Sequence, residues 1–335
     1  MSIPQTMQVE NPPGFEVDGD LLRAFERGLD PAHPERSPIS AQVLGYGEIS
    51  TVFAIDAEGL HGLAFKRLPI FETAAEMSAY QVIYKEYNRL LADEVGIRVA
   101  PHGYAAFFSE TGRPVFYIIQ HRLPAESVGH KAMQLLPPQE VPRLFVQALR
   151  ELHKVWLYNR RQSRVQIAID GQISNWSIVG FDADHPALGD EIALLYMDTS
   201  TPLFRVEGVE QLNPELFLRS APSFLRWILR LLFLEDVINR YYDPRLVAID
   251  LIANCYKEQR LDLIPDLVKA ANEFFATEGA DLDVQPLTEK EIADYYREDR
   301  LIWSLYLSMR RLDRFLQRRI LRREYPYILP GPIKR

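Results

Sequence analysis

Five polar residues and one glycine turn, taken in their order along the chain, define the chemistry that this sequence can do. The turn is Gly45-Tyr46-Gly47-Glu48-Ile49-Ser50, set between two strand-like runs. A phosphate chain is anionic and needs donors close by. Glycine at 45 and 47 lets main-chain N–H groups approach it without a Cβ in the way. Lys66, on the next strand, can set a positive charge against the same phosphates. Glu86 follows 20 positions later on a helix, in line with Ala79, Val82, Ile83 and Leu90. A carboxylate on such an apolar stripe is costly unless paired, and Lys66 is its expected partner. Asp170 and Asn175 stand five apart on one loop, and Asp198 closes the apolar run Ala193–Met197. Here Asp170 would accept a hydroxyl proton, while the Asn175 carboxamide oxygen and the Asp198 carboxylate would hold magnesium. Together these residues describe a site that holds a nucleoside triphosphate with a metal ion and delivers a phosphoryl group.

Each residue also has a plainer role open to it. A hairpin with two glycines is often only a turn, and a lysine on a strand is often only an edge residue. Asp170-Gly-Gln-Ile-Ser-Asn175 can be a polar turn closed by its own side chains, and Asp198 can cap the segment that follows. The glycine turn joins strand to strand, whereas a dinucleotide-binding loop opens a helix, so that class is disfavoured.

The elements that must position these residues come in two blocks. Strands are expected at Ala41–Leu44, Thr51–Ile55, His61–Leu68, Val99–Phe108 and Pro114–Gln120, with a helix from about 72 to 93 between the third and fourth. A connector containing Pro124, Gly129, Pro137 and Pro138 follows, then a helix from about 139 to 160. Short strands at 165–169, 176–179 and 192–197 bracket the polar positions. Beyond Pro202 helices are expected at about 216–240, 244–258, 260–277, 288–298 and 299–324. Strands first and helices last implies an α+β chain of segregated layers, not a doubly wound sheet. Residues 1–40, rich in proline, read as an irregular extension with one short helix near Leu21–Gly28. The expected organisation is thus an extension at 1–40, a nucleotide-binding lobe at 41–120 and a helical lobe at 121–335 that carries the catalytic loop and metal site.

Composition narrows the classes. A chain of 335 residues with 47% apolar and 25% charged content is that of an ordinary globular protein. Its single cysteine, Cys255, excludes an internal disulfide and sits in a helical pattern as a small core residue. The first twenty residues lack a basic stretch followed by an apolar one, and Phe224–Leu234 is cut by Arg226 and Arg230 and too short to span a bilayer. The expected location is cytoplasmic. The seven histidines show no metal-ligand spacing. Net charge is −8, but Arg300–Arg335 holds ten Lys or Arg against two Asp or Glu, which leaves −16 on the rest. The acidic bulk argues against nucleic acid as a partner. The basic stretch Met309–Arg323 leaves room for a local anionic contact: substrate, acidic partner or membrane surface.

The set resembles the protein-kinase-like superfamily, which includes protein kinases and the aminoglycoside and choline phosphotransferases. Leu44–Ala54 is similar to the glycine-rich loop, Leu63-Ala64-Phe65-Lys66 to the strand with the phosphate-binding lysine, and Glu86 falls where that lysine's helix partner belongs. Asp170 with Asn175 looks like the catalytic loop, and Asp198 like the metal-binding aspartate. The resemblance covers about residues 41–200. It implies a two-lobed fold with a small antiparallel-sheet N-lobe bearing one helix and a larger, mainly helical C-lobe. It also implies ATP and magnesium as cofactors, with Gly45, Tyr46, Gly47, Glu48, Ser50 and Lys66 at the nucleotide and Gln120 at the hinge that receives adenine. There are departures. Ser50 replaces the third loop glycine, Ala168-Ile169 the usual His-Arg, Gln172 the usual Lys or His, and Thr199-Ser200 the Phe-Gly after the metal aspartate. The short segment after Asp198 and the helical C-terminal half favour a small-molecule hydroxyl acceptor over a protein. Gln172 and Thr199-Ser200 favour instead a nucleotide-binding pseudokinase that works as a scaffold or switch, and transfer of the nucleotide moiety is a third option.

Overall fold

Lys66 and Arg67 are neighbours in sequence but face opposite sides of a sheet, and that alternation organises the first half of the molecule. The computed structural model describes residues 7–31, 33–47, 49–219, 235–323 and 325–329. Its strands are β1 (Gln8–Glu10), β2 (Ala41–Tyr46), β3 (Thr51–Ile55), β4 (Leu63–Leu68), β5 (His102–Phe108), β6 (Pro114–His121), β7 (Val165–Ile167), β8 (Trp176–Ile178), β9 (Leu194–Tyr196), β10 (Phe204–Val206) and β11 (Val209–Glu210). Its α-helices are α1 (Gly19–Gly28), α2 (Ala74–Arg89), α3 (Gly129–Leu135), α4 (Val141–Arg161), α5 (Glu215–Leu218), α6 (Glu235–Arg240), α7 (Pro244–Lys257), α8 (Ile264–Ala276) and α9 (Glu289–Phe315). The first six strands form one sheet in the order β1-β5-β6-β4-β3-β2, antiparallel at every pairing. The rest is mainly helical, with a β7–β10–β11 sheet and a β8–β9 pair inserted. The chain is therefore α+β, a small antiparallel-sheet lobe with a long helix beside a larger helical lobe, as its sequence implies.

Both faces of the large sheet are covered. On β6, Phe116 and Ile118 point toward α2, while Val115, Tyr117 and Ile119 point toward α1. The same period of two on β4 sends Leu63 and Phe65 to the α1 side and Leu68 to the α2 side. Lys66 shares the face of Leu68. Arg67 lies on the other face, where its guanidinium donates to both Glu26 oxygens at 2.6 and 2.7 Å and to the Pro326 carbonyl at 2.7 Å. Tyr117 donates to the same Glu26 at 2.5 Å, so this buried ion pair has the added hydrogen bonds that such a pair requires.

Four expectations need correction. Residues 8–10 are not irregular: β1 adds an edge strand to β5, and α1 seals the sheet with Leu22 and Phe25. Gly103 on β5 makes this possible, since a Cβ there would meet the Glu10 carbonyl at 2.0 Å. Second, the connector after β6 contains α3. Third, the last two expected helices are one continuous helix, α9, opened by a Thr288–Glu291 capping box. The expected helix at 216–240 falls mostly on 220–234, outside the described residues. Fourth, α2 presents a different face from the one its aliphatic residues suggest. The buried row is Met77, Tyr80, Tyr84 and Tyr87, continued by Leu91, while Val82 is 67% exposed. Large aromatic rings bury more area than Ala or Val, so the tyrosines win the contact with the core. This turns Glu86 outward.

Candidate active site

The β8–β9 hairpin does most of the positioning. Trp176 pairs with Tyr196, which places the residue before β8 beside the residue after β9. Met197 N–H donates to the Asn175 carbonyl at 2.8 Å, and Asp198 is the next residue. Upstream, β7 pairs with β10 and Ala168 N–H donates to the Leu203 carbonyl at 3.0 Å, which holds the start of the Asp170 loop. A 3-10 turn, Ile173–Asn175, closes that loop. Its Asn175 amide donates to the Asp170 carbonyl at 3.2 Å, and Tyr196 Oη reaches the same carbonyl at 3.3 Å. Two short antiparallel strand pairs and one turn thus bring Asp170, Asn175 and Asp198 to one place.

They open on a cavity of about 410 Å³. Tyr46, Gly47, Ile49, Ser50 and Lys66 contribute from the sheet, and Asp170, Gln172, Asn175 and Asp198 from the loops. The glycine turn is closed by Gly47 N–H donating to the Ser50 carbonyl at 3.0 Å. Lys66 Nζ donates to Asp198 Oδ1 at 2.6 Å, joining the two lobes across 132 positions of sequence. Ser200 donates to the same oxygen from both its N–H (3.1 Å) and its Oγ (2.7 Å). Burial alone would raise the Asp198 carboxyl, but the Lys66 charge and these hydrogen bonds outweigh it and hold it below the usual carboxylate range.

Asp170 behaves oppositely. Burial first, and then the negative Asp250, push its carboxyl up to about 7, against the Gln172 N–H that it accepts at 3.1 Å. Asp250 is itself raised by burial, with Lys257 opposing and Asp299 adding. Asp250 is a residue that motif reasoning missed. It lies on α7, whose residues 247–255 are all buried. A charge in the middle of an otherwise apolar helix was the available signal. The same wall carries Lys257 and Asp299, 3.5 Å apart, with Tyr295, Trp303 and Tyr306 from α9.

The expected site residues divide. Tyr46, Gly47, Ser50, Lys66, Asp170, Asn175 and Asp198 line one cavity. Gly45 does not; it sits where the β2–β3 register shifts, with open space where a Cβ would be. Gln120 does not either; its amide donates to the Met197 carbonyl at 2.8 Å and braces the residue before Asp198. Glu48 lies outside the described residues. Glu86 is not the partner of Lys66. It forms an ion pair with Arg89 at 2.9 Å on the solvent side of α2, in a shallow depression with Val82, Lys85 and His102. The tie between α2 and the site is made by tyrosines: Tyr80 Oη donates to the Ser200 carbonyl and Tyr87 Oη to the Ala168 carbonyl, both at 2.8 Å.

For a cation, the available oxygens are those of Asp198 and Asn175. No group of three or more His, Cys, Asp or Glu residues among the described residues could hold a metal. Magnesium does not require one, because it keeps waters and takes one or two protein oxygens, with phosphates completing the shell. The donor set fits that ion and not a closed cage.

A family model described as a family of unknown function (DUF6206) matches residues 32–314. No curated protein matches the chain. Among solved structures that match is WaaP in complex with acyl carrier protein, at 16% identity and a TM-score of 0.34, over 80% of this chain and 93% of that one. No helix among the described residues is long and apolar enough to cross a membrane.

Proposed function

Since the chain belongs to DUF6206, a family of unknown function, we propose from the cleft itself that it is a kinase-like phosphotransferase. It would move the γ-phosphoryl group of ATP, with magnesium, to a hydroxyl on a small molecule. The observation that carries this reading is the convergence of Lys66, Asp170, Asn175 and Asp198 on one cavity bordered by the Gly47 turn. Tyr46, Gly47 and Ser50 cover the phosphates and Lys66 neutralises them. Asn175 and Asp198 hold magnesium, which when bound draws off charge on the phosphate oxygens. Asp170 orients the acceptor hydroxyl and takes its proton. The bond that breaks joins the β–γ bridging oxygen to the γ-phosphorus; the one that forms joins that phosphorus to the acceptor oxygen. Most of the rate comes from position and electrostatics. The wall of Gln172, Asp250, Lys257, Tyr295 and Asp299 would receive the acceptor.

A second reading rests on one observation. Lys66 is engaged by Asp198, and Glu86, which would otherwise orient it, faces solvent. That suits a nucleotide-binding pseudokinase that works as a switch. Thermal melting with and without magnesium-ATP, on wild type and on Asp198→Ala, tests both readings. A ligand at about 100 times its Kd adds roughly 2.7 kcal/mol of stability. A magnesium-dependent rise in wild type that the variant lacks supports the site, and no rise at saturating nucleotide rejects both readings. Turnover with a panel of alcohols then separates enzyme from switch. Mass spectrometry of the product separates phosphoryl from nucleotidyl transfer.

A further inference from the structure

The helix α9 has a buried side and an unusual exposed one. Ile292, Tyr296, Leu307, Arg310 and Asp313 face inward. On the opposite side Leu301, Leu305, Leu312 and Phe315 recur at spacings that keep one helical face, and they are 66%, 44%, 43% and 56% exposed. Ile320 and Leu321, at 62% and 50%, continue the apolar surface into the wider turn that follows. Arginine surrounds this row. Besides the buried Arg310, seven arginines lie between 300 and 323, and the one acid there, Asp313, is buried. Among the described residues Arg311, Arg314, Arg319, Arg322 and Arg323 have no ion-pair partner, while Arg318 reaches Asp30 at 3.7 Å. Beyond this stretch the chain returns to the sheet lobe, where Tyr325, Tyr327 and Leu329 are buried.

We propose that this face docks on the surface of an anionic lipid bilayer. The helix from Leu301 onward lies in the interface plane, with Leu301, Leu305, Leu312 and Phe315 at the acyl boundary and the arginines on the headgroups. Charge selects this occupant. A second copy laid over the same stretch, 300–323, would bring the same arginines against each other with no exposed acid there to meet them. An anionic bilayer meets the apolar row and the arginines at once. The chain outside 300–323 carries −15 and is repelled by such a surface, which confines contact to this face. Leu305 belongs both to the row and to the wall of the cavity, so docking brings that wall to the interface. The proposal does not depend on the phosphotransferase reading.

The test is co-sedimentation of the full chain with vesicles of phosphatidylcholine, alone or mixed with phosphatidylglycerol, at low and high salt. The expected result is binding to the anionic vesicles only, weakened by salt. Arg311→Glu, Arg319→Glu and Arg322→Glu together should lower the partition coefficient by about a hundredfold. Leu312→Ser with Phe315→Ser should lower it by about tenfold or more. The arginines are exposed and Leu312 and Phe315 are about half exposed, so the melting temperature should move by no more than a few degrees, which separates lost docking from lost folding. No partition onto anionic vesicles, or equal partition by both variants and wild type, overturns the proposal. So does a dimer that both variants dissolve without any vesicle binding, which would assign the face to a second copy.

Discussion

Asp170 and Glu86 show how burial decides what a carboxylate can do. Asp170 has its carboxyl pushed up to about 7 by burial and by Asp250, which suits a group that takes a proton near neutrality. Under the proposed reading Asp170→Asn lowers transfer by about 10²–10⁴-fold and leaves magnesium-ATP binding intact; equal turnover by the variant rejects the role. Wild-type transfer should rise with pH and level off above about 7. Stability carries the opposite sign. Between 3.8 and about 7 the folded chain keeps a proton that the unfolded chain has lost, so this group favours the fold at low pH and the benefit fades as pH rises. Melting curves of Asp170→Asn against wild type should therefore diverge in favour of the variant as pH increases; parallel curves would contradict this environment. Glu86 is bound to Arg89 at the surface. Glu86→Gln should change stability by less than about 0.5 kcal/mol and leave nucleotide affinity unchanged. Lys66→Ala should weaken nucleotide binding by at least about tenfold, because it removes the cation on the phosphates and strands Asp198. Calorimetric titration of the two variants checks the contrast.

At the scale of elements, α2 is the point of interest, because it touches the site through hydroxyls rather than through an ion pair. Tyr80 and Tyr87 reach the Ser200 and Ala168 carbonyls, the former two residues after Asp198 and the latter two residues before Asp170. Tyr87→Phe keeps the ring and strands a buried carbonyl, which should cost about 1–3 kcal/mol in urea unfolding. Under the proposed reading it should also slow transfer, since that carbonyl lies two residues before Asp170; a stability loss with unchanged turnover would make the tyrosine purely structural. This arrangement was poorly legible beforehand. Periodicity finds a helix from about 72 to 93 correctly, but aliphatic counting selects the face of Val82, whereas the tyrosine face is the one that packs. Asp250 was legible in principle, as a lone acid in Leu246–Cys255, but nothing local says which cavity an isolated buried acid will meet.

Across the whole molecule, the described segments 8–28 and 325–329 both complete the sheet lobe. The N-terminal segment supplies an edge strand and the helix that carries Glu26; the C-terminal segment supplies Tyr325, Tyr327 and the carbonyl that Arg67 contacts. Tyr327 also stands 5.7 Å beneath the buried Arg310 guanidinium of α9. Tyr327→Ala should destabilise the chain by roughly 3–5 kcal/mol, the usual cost of deleting a buried aromatic ring; a loss under about 1 kcal/mol would mean the segment is not anchored there. The long helix α9 thus connects the helical lobe to the sheet and forms one wall of the cavity on the way.

What this sequence determined alone is what short-range physics encodes. Alternating burial sets the strands and the side of the sheet on which Lys66 stands, and the turn residues set the loops that carry Asp170, Asn175 and Asp198. Those signals lie within a few residues of the positions they govern. Partner choice does not. Lys66 meets Asp198 across 132 positions, Arg67 meets Glu26 across 41, and Asp170 feels Asp250 from a distant helix. Which of two carboxylates receives a lysine depends on which helix face wins burial, and that is settled only when the layers pack.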